Sequence, residues 1–313
     1  MLSRDFFLFN TENHIEVETD DDTILDQVEA LCQHYERMLS CFNPESELYR
    51  LNQQAGKTTP ISDELAEIIE AALFYCQATD GAFDITMGTV TRLWNLQDRI
   101  IPCREDLAAA LAHVDWEAIT LSGSAGQRTI TISDADACLD LGGIAKGYIT
   151  DSITRLLKQQ DVARAIINLG GNVAVLGEKQ AGKPWHVGLR SPLPSSSMST
   201  LTCFGVVEIA DASAVTSGIY ERAAEIEGVF YHHILDPTTG MPAETDVLSA
   251  TVIAPQSIDA DGYTTALIVM GAKRALECIE SIDGLEAIIV TTHGDVIGTS
   301  GIGETIPFAL LQS

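Results

Sequence analysis

From residue 165 to residue 234 the chain offers five short apolar runs in succession, at 165–168, 173–176, 186–189, 204–209 and 229–234. Runs of this length, rich in Val, Ile and Leu and bounded by turn-forming residues, read as strands. No helix-length periodic segment stands between any two of them, so this region lacks a strand–helix–strand rhythm. Further strands are expected at 14–18, 252–254, 288–290 and 296–297, with a hairpin of 118–121 and 129–133 around the GSAGQ turn. Helical periodicity is confined to other stretches. Ile24, Leu25, Val28, Leu31 and Met38 recur at helical spacing over 24–39, after a start marked by Asp20, Asp21 and Asp22. Ser62 reads as the N-cap of a second helix over 62–78, with Leu65, Ile68, Ile69 and Leu73 on one face. The spacing also predicts helices over 104–112, 145–157, 258–270 and 273–282, and a short one within 41–52. Strands and helices mixed without a regular βαβ rhythm predict an α+β fold, mixed sheets with flanking helices, rather than a doubly wound sheet. No linker marks a boundary, so a single domain over 1–313 is expected, with a split near 80–140 as the alternative. The SPLPSSSMST stretch at 191–200 reads as a flexible loop.

Charge narrows the partners. The chain carries 45 acids against 18 bases, a formal net charge of −27. A surface that acidic repels nucleic acid and anionic lipid. An anionic substrate therefore needs a local exception, such as Lys146 or a bound cation. The cysteines number 7 and include no C-x-x-C pair, which argues against a disulfide framework and a structural zinc site. Reduced core thiols are expected instead. The N-terminal MLSRDFFLFNTEN reaches acids too quickly for a signal peptide, and no apolar run approaches a membrane span. As written, the chain reads as cytoplasmic; with a leader removed, it would be exported or periplasmic.

Several short motifs carry chemistry. LDLGGIAKGY, residues 139–148, combines an acid, bare backbone at Gly142 and Gly143, and Lys146. Exposed amides and a lysine suit phosphate. The P-loop pattern is not met, because Gly142 and Gly147 are wrongly spaced and Tyr148 follows the glycine. The alternative is a strand, a tight turn and a helix start with Lys146 solvated. In IDADGYTTALIVMG, residues 258–271, Asp261 and Thr265 are four apart, on one helix face and one turn from each other. A carboxylate and a hydroxyl so placed suit a hard cation such as Mg²⁺; the same residues also read as a polar helix face beside a capping Asp259. In YHHILDPTTG, residues 231–240, strand alternation points His232 and His233 to opposite sides, and one of them suits a general base. GAFDITMG, residues 81–88, places Phe83 as core or stacking platform and Asp84 as cap or ligand contact. INLGGNVAVLG, residues 167–177, reads as a turn between strands and lacks a dinucleotide fingerprint. Thr216, Ser217 and Gly218 in VTSGIYER read as a polar bend, and Ser217 lacks a nucleophile-elbow context.

In order along the chain, SELYRLN (46–52), GAFDITMG, LDLGGIAKGY with Asp151 after it, INLGGNV, VTSGIYER, HHILDPTTGMPA (232–243) and DADGYTTALIVMG (259–271) resemble the ApbE-type FAD:protein FMN transferase family. The resemblance implies a two-lobed α+β fold with a flavin cleft. It implies Mg²⁺-dependent transfer of FMN from FAD to a Thr or Ser hydroxyl of a target protein, with release of AMP. Mn²⁺ is the alternative metal. Targets in that family typically belong to membrane redox complexes. It further implies a metal held by the Gly143 carbonyl, Asp261 and Thr265, and FAD contacts from Phe42, Ala82, Phe83, Asp84, Asp140, Lys146 and His233. Lys146 would stabilise developing charge and His233 would take the proton of the incoming hydroxyl. Hydrolysis of FAD to FMN and AMP, and FAD binding without turnover, are the alternative activities. The chain departs from the family's common pattern at Phe9 to Thr11, which reads Phe-Asn-Thr in place of Met-Gly-Thr, and at DGYTT, which stands in place of DALAT.

Overall fold

The structure is a computed structural model that describes residues 1–192 and 203–311. Strands β1 (Leu2–Leu8) and β2 (Thr11–Val17) open the chain. Helices α1 (Thr23–Leu39) and α2 (Glu47–Asn52), strand β3 (Thr58–Pro60) and helix α3 (Asp63–Ala78) follow. Helices α4 (Gly88–Thr91) and α5 (Arg104–Leu111) precede a hairpin of β4 (Ile119–Ser122) and β5 (Thr129–Ile132). Helix α6 (Ala145–Gln159) leads into β6 (Ala165–Leu169), β7 (Asn172–Leu176), β8 (Trp185–Arg190), β9 (Cys203–Ile209) and β10 (Ala212–Gly218). A second hairpin, β11 (Ala223–Ile226) and β12 (Val229–His232), comes next, then β13 (Val247–Ala254). Helices α7 (Ser257–Met270) and α8 (Ala272–Glu280) and strands β14 (Glu286–Thr291), β15 (Val296–Gly298) and β16 (Phe308–Leu310) complete the chain.

The residues form two compact units. One comprises Met1–Gln33, Lys146–Gly218 and Thr245–Ser313; the other comprises His34–Ala145 and Ile219–Glu244. Neither is a continuous segment, so no single cut in the chain separates them, and the four boundaries fall inside α1, after the first residue of α6, at the end of β10 and just before β13.

In the first unit, among the described residues, eight strands form one sheet in the order β1-β2-β6-β7-β10-β13-β14-β15, every neighbouring pair antiparallel. Strand β13 is buried along almost its whole length, as a strand covered on both faces must be. One face receives the smaller β16-β9-β8 sheet, through Val175, Ala214, Ile253 and Ile288 packed on Trp185, Val187, Leu189 and Val207. The opposite face receives α7, which Ser217 Oγ reaches by donating to Thr264 Oγ1 at 3.0 Å. The β6–β7 turn is made by Gly170 (φ +59°) and Gly171 (φ +94°). A side chain on Gly170 would strike Thr11 at 2.5 Å, so both conformation and space demand glycine there.

In the second unit α3 carries the predicted cap: Ser62 Oγ accepts from the Leu65 amide at 3.2 Å, and Glu47 in turn accepts from Ser62 N–H and Oγ–H at 2.6 and 2.7 Å. Strands β3-β5-β4 form one small sheet and β11-β12 another. Met87, Val90, Leu107 and Leu235 form a local core.

The α+β reading and the predicted helices hold, with ends displaced by a few residues. The polar bend expected at Thr216, Ser217 and Gly218 is instead the end of β10, in the interior of the large sheet. Its hydroxyls are satisfied across the sheet, Thr216 Oγ1 lying 2.8 Å from Thr251 Oγ1, and in α7 by Thr264. Strand β1 was not predicted because, as an edge strand, it alternates half-buried and exposed residues and has no buried one. Of the stretch at 191–200 expected as a loop, residues 193–200 lie outside the described residues. The seven cysteines are free, but only Cys32 and Cys76 are buried and Cys103 is exposed, so the expectation of core thiols holds in part. Among the described residues, no helix is long and apolar enough to cross a membrane.

Candidate functional site

The chemistry-bearing part of the first unit is built where α6 meets α7. Gly147 makes that approach possible: a Cβ there would lie 2.7 Å from Asp261 Cβ and the Ser257 carbonyl and 2.8 Å from Ile258 Cα. The Gly147 N–H, one of the unpaired donors of a helix's first turn, donates to Asp261 Oδ2 at 2.8 Å. Lys146 Nζ stands 3.8 Å from the other oxygen, Oδ1. Asp261 is 3% exposed. Burial pushes its carboxyl above the ordinary range, opposed by the Lys146 charge, the Gly147 N–H and the Asn172 side chain. Four residues on, Thr265 is half-buried one turn further along α7. The predicted pairing of Asp261 and Thr265 on one helix is present, and Lys146 is brought to it.

Two further residues hold α7 in place. Asp151, one turn beyond Gly147 on α6, accepts from the Ser257 and Ile258 amides at 2.8 and 2.9 Å, capping the start of α7. Burial raises its carboxyl to about 6 despite those two donors. Ser257 Oγ donates to Asn172 Oδ1 at 2.6 Å. The positioning roles of Asp151 and Asn172 were not read from the sequence. Neither has a local signal, because the partners of both lie on distant segments of the chain.

In the second unit the LDLGG turn is held from a distance. Asn52, the last residue of α2, accepts from the Leu139 amide at 2.8 Å through Oδ1 and donates to the Leu139 carbonyl at 3.0 Å through Nδ2. Asp140 shapes its own turn, accepting from the Gly142 amide at 2.9 Å and from Thr91 Oγ1 at 3.2 Å. Gly143 lies against Phe83, whose Cε2 would be 2.9 Å from a Cβ at that position. Phe83 is buried and Ala82 half-buried. Asp84 accepts from Thr86 N–H and Oγ1 at 2.7 and 2.6 Å, and burial raises its carboxyl. Phe42 is 87% exposed. Of the histidine pair, His232 is buried, with Nε2 3.3 Å from the Ala243 carbonyl, and burial lowers its pKa. His233 follows at the end of β12, half-buried, its N–H donating to the Arg222 carbonyl at 3.0 Å. The structure thus brings Phe83 to Gly143 in this unit, and Lys146 to Asp261 in the other.

The donor set fits a hard divalent cation. A buried carboxylate beside one lysine and one amide, with a hydroxyl a turn away, offers oxygen ligands of the kind Mg²⁺ takes while keeping water and phosphate oxygens. His113, Asp134 and Asp136 also come within ligand reach of one another elsewhere in the second unit. There His113 Nδ1 is already 2.8 Å from Asp134 Oδ2.

Comparison with known proteins gives one consistent result. The model of the ApbE family matches residues 9–289. The FAD:protein FMN transferase of Treponema pallidum is 36% identical over 296 residues, covering 90% of this chain and 81% of its own. That of Klebsiella pneumoniae is 33% identical over 283 residues, covering 90% and 86%. Among solved structures, the ApbE protein of Thermotoga maritima superimposes with a TM-score of 0.84 at 27% identity, covering 96% of this chain and 97% of its own. The flavin transferase ApbE of Vibrio cholerae does so with a TM-score of 0.83 at 26% identity, with the same coverage.

Proposed function

The chain belongs to the ApbE family and is an FAD:protein FMN transferase, and on that premise we propose that it moves FMN from FAD to a Thr or Ser hydroxyl of an acceptor protein and releases AMP. The hydroxyl oxygen bonds to the phosphorus of the FMN half. The pyrophosphate P–O bond breaks, and AMP leaves with the electron pair. The observation that carries this reading is the buried Asp261 held between the first-turn amide of α6 and Lys146.

Asp261 and Thr265 are the side chains that would hold Mg²⁺, which when bound supplies charge neutralisation to the pyrophosphate. The rest falls to the chain's own groups. Lys146 Nζ, half-buried on α6, draws the phosphate and stabilises the charge that grows as AMP departs. His233 takes the hydroxyl proton, a task imidazole nitrogen suits. Phe83, Ala82 and Phe42 offer apolar surface to the flavin nucleotide, and Asp84 and Asp140 offer carboxylate oxygens. Holding both reactants in line contributes the remainder of the rate. The resemblance also supports an acceptor from a membrane redox complex.

The test incubates the purified protein with FAD and Mg²⁺, with and without an acceptor domain carrying a flavinylation-type threonine. AMP release is followed together with covalent flavin on the acceptor. AMP with acceptor-bound FMN is the expected result. AMP with free FMN in both tubes would replace transfer by hydrolysis, and intact FAD in both, with FAD binding in a titration, would replace it by binding without turnover.

A further inference from the structure

The β11–β12 hairpin has two edges, and they are treated differently. Its turn is Glu227 and Gly228, both at positive φ, so Ile226 and Val229 form the closing pair. In an antiparallel ladder every second pair exchanges hydrogen bonds. The closing pair and the His233 N–H bond to the Arg222 carbonyl set the phase, so Ala224 and Tyr231 bond each other. Glu225 and Phe230 then point their backbone groups outward, on opposite edges. The β11 edge is capped: Arg99 Nη2 donates to the Glu225 carbonyl at 3.1 Å. The β12 edge is not. Among the described residues, Phe230 has no backbone partner, and the residue is 52% exposed beside Val229 at 51%. Three residues beyond Phe230 the chain reaches His233.

We propose that the open edge of β12 at Phe230 receives an extended segment of the acceptor protein, which pairs as an added strand and so delivers its hydroxyl to His233. This rests on the transferase reading, which makes a protein the second substrate. The physical reason is the shortness of Ser and Thr. Their hydroxyl cannot reach a base unless the acceptor's main chain passes close to it, and a main chain brought that close must have its own N–H and C=O groups satisfied. An exposed edge satisfies them without reading side chains, which leaves sequence preference to the flanks. Val229 and Phe230 offer apolar contact, and the exposed Glu227 at the turn favours Lys or Arg beside the modified residue. At about 3.3 Å per residue, the acceptor position paired with Phe230 lies about three residues from the one that receives FMN.

The test uses the full chain and a library of twelve-residue peptides, each with one central threonine, from which the peptides that become covalently fluorescent are selected. Phe230→Pro removes the outward N–H of β12; Glu225→Pro removes the outward N–H of β11 and serves as its control. Phe230→Pro is expected to raise KM for the selected peptide about tenfold, the worth of a lost hydrogen bond and its packing, with FAD affinity unchanged. Glu225→Pro is expected to leave KM as it is, and protection of the Tyr231 amide from hydrogen exchange confirms the hairpin in both. An unchanged KM in Phe230→Pro, or an equal rise in both variants, would overturn the edge-pairing proposal. No labelled peptide, with an intact acceptor protein labelled under the same conditions, would also overturn it while leaving transfer to intact proteins standing. No AMP release from FAD, or AMP release with neither peptide nor intact acceptor labelled, would instead defeat the transferase reading itself.

Discussion

Asp261 and Gly147 show what a single residue decides here. Asp261 is buried, and its raised pKa means that its charge costs the folded state free energy. Asp261→Asn removes that charge while keeping an oxygen to accept from the Gly147 amide, and Lys146 is exposed enough to turn to solvent. Its thermal midpoint should therefore not fall, whereas turnover should drop by about 100-fold or more, since a metal-binding oxygen is lost. Turnover within a few-fold of the parent would remove Asp261 from the metal site. Gly147→Ala should act on the fold instead. Alanine in a helix ordinarily gains about 1 kcal/mol over glycine. Here the added Cβ meets backbone at 2.7 Å, so a net loss of about 1–3 kcal/mol is expected, read as a lower urea midpoint. The two residues also differ in legibility. Helical spacing alone puts Asp261 and Thr265 on one face, with a polar helix face as the alternative, and the resemblance adds the metal role. That Lys146 and Gly147 face Asp261 was not legible, because the partners lie far apart in sequence and no local pattern links them. Asn52, which clamps Leu139, was missed as a positioning residue for the same reason.

At the scale of the element, the start of α7 depends on Asp151. Its folded pKa is raised to about 6 from 3.8, so the charged form is the penalised one. The sign follows: the penalty is fully present above pH 6 and is relieved as pH falls through 6 towards 3.8, where folded and unfolded chains both bind the proton. Asp151→Asn should flatten that part of the stability–pH curve, by on the order of 2–3 kcal/mol between pH 7 and pH 4. Urea denaturation of both proteins across that range measures it, and parallel curves would refute the assignment. Helices with one apolar face, such as α1 and α3, were legible because burial follows the 3.6-residue period. Strand β10 was not. Thr216, Ser217 and Gly218 look like a bend until Thr251 and Thr264 are seen to satisfy their hydroxyls. Strand preference at such positions is a property of the neighbours rather than of the residues.

For the whole molecule the governing quantity is charge. A net charge of −27 repels itself across a compact surface more than in an expanded chain. Raising NaCl from about 10 mM to about 150 mM shortens the Debye length from about 30 Å to about 8 Å, so the thermal midpoint should rise. A midpoint that stays flat or falls would mean that attractive surface pairs outweigh the net repulsion. The sequence by itself determined the α+β class, the helices, the acidic surface and the family, because each is written in local periodicity, composition or ordered short motifs. Only the tertiary structure decided that β10 lies inside a sheet, that Gly147 is where α7 closes on α6, and that one lysine of the chain's few stands beside one buried aspartate among its many acids. These depend on which distant segments pack together, and the burial that raises the Asp261 carboxyl exists only once they have done so.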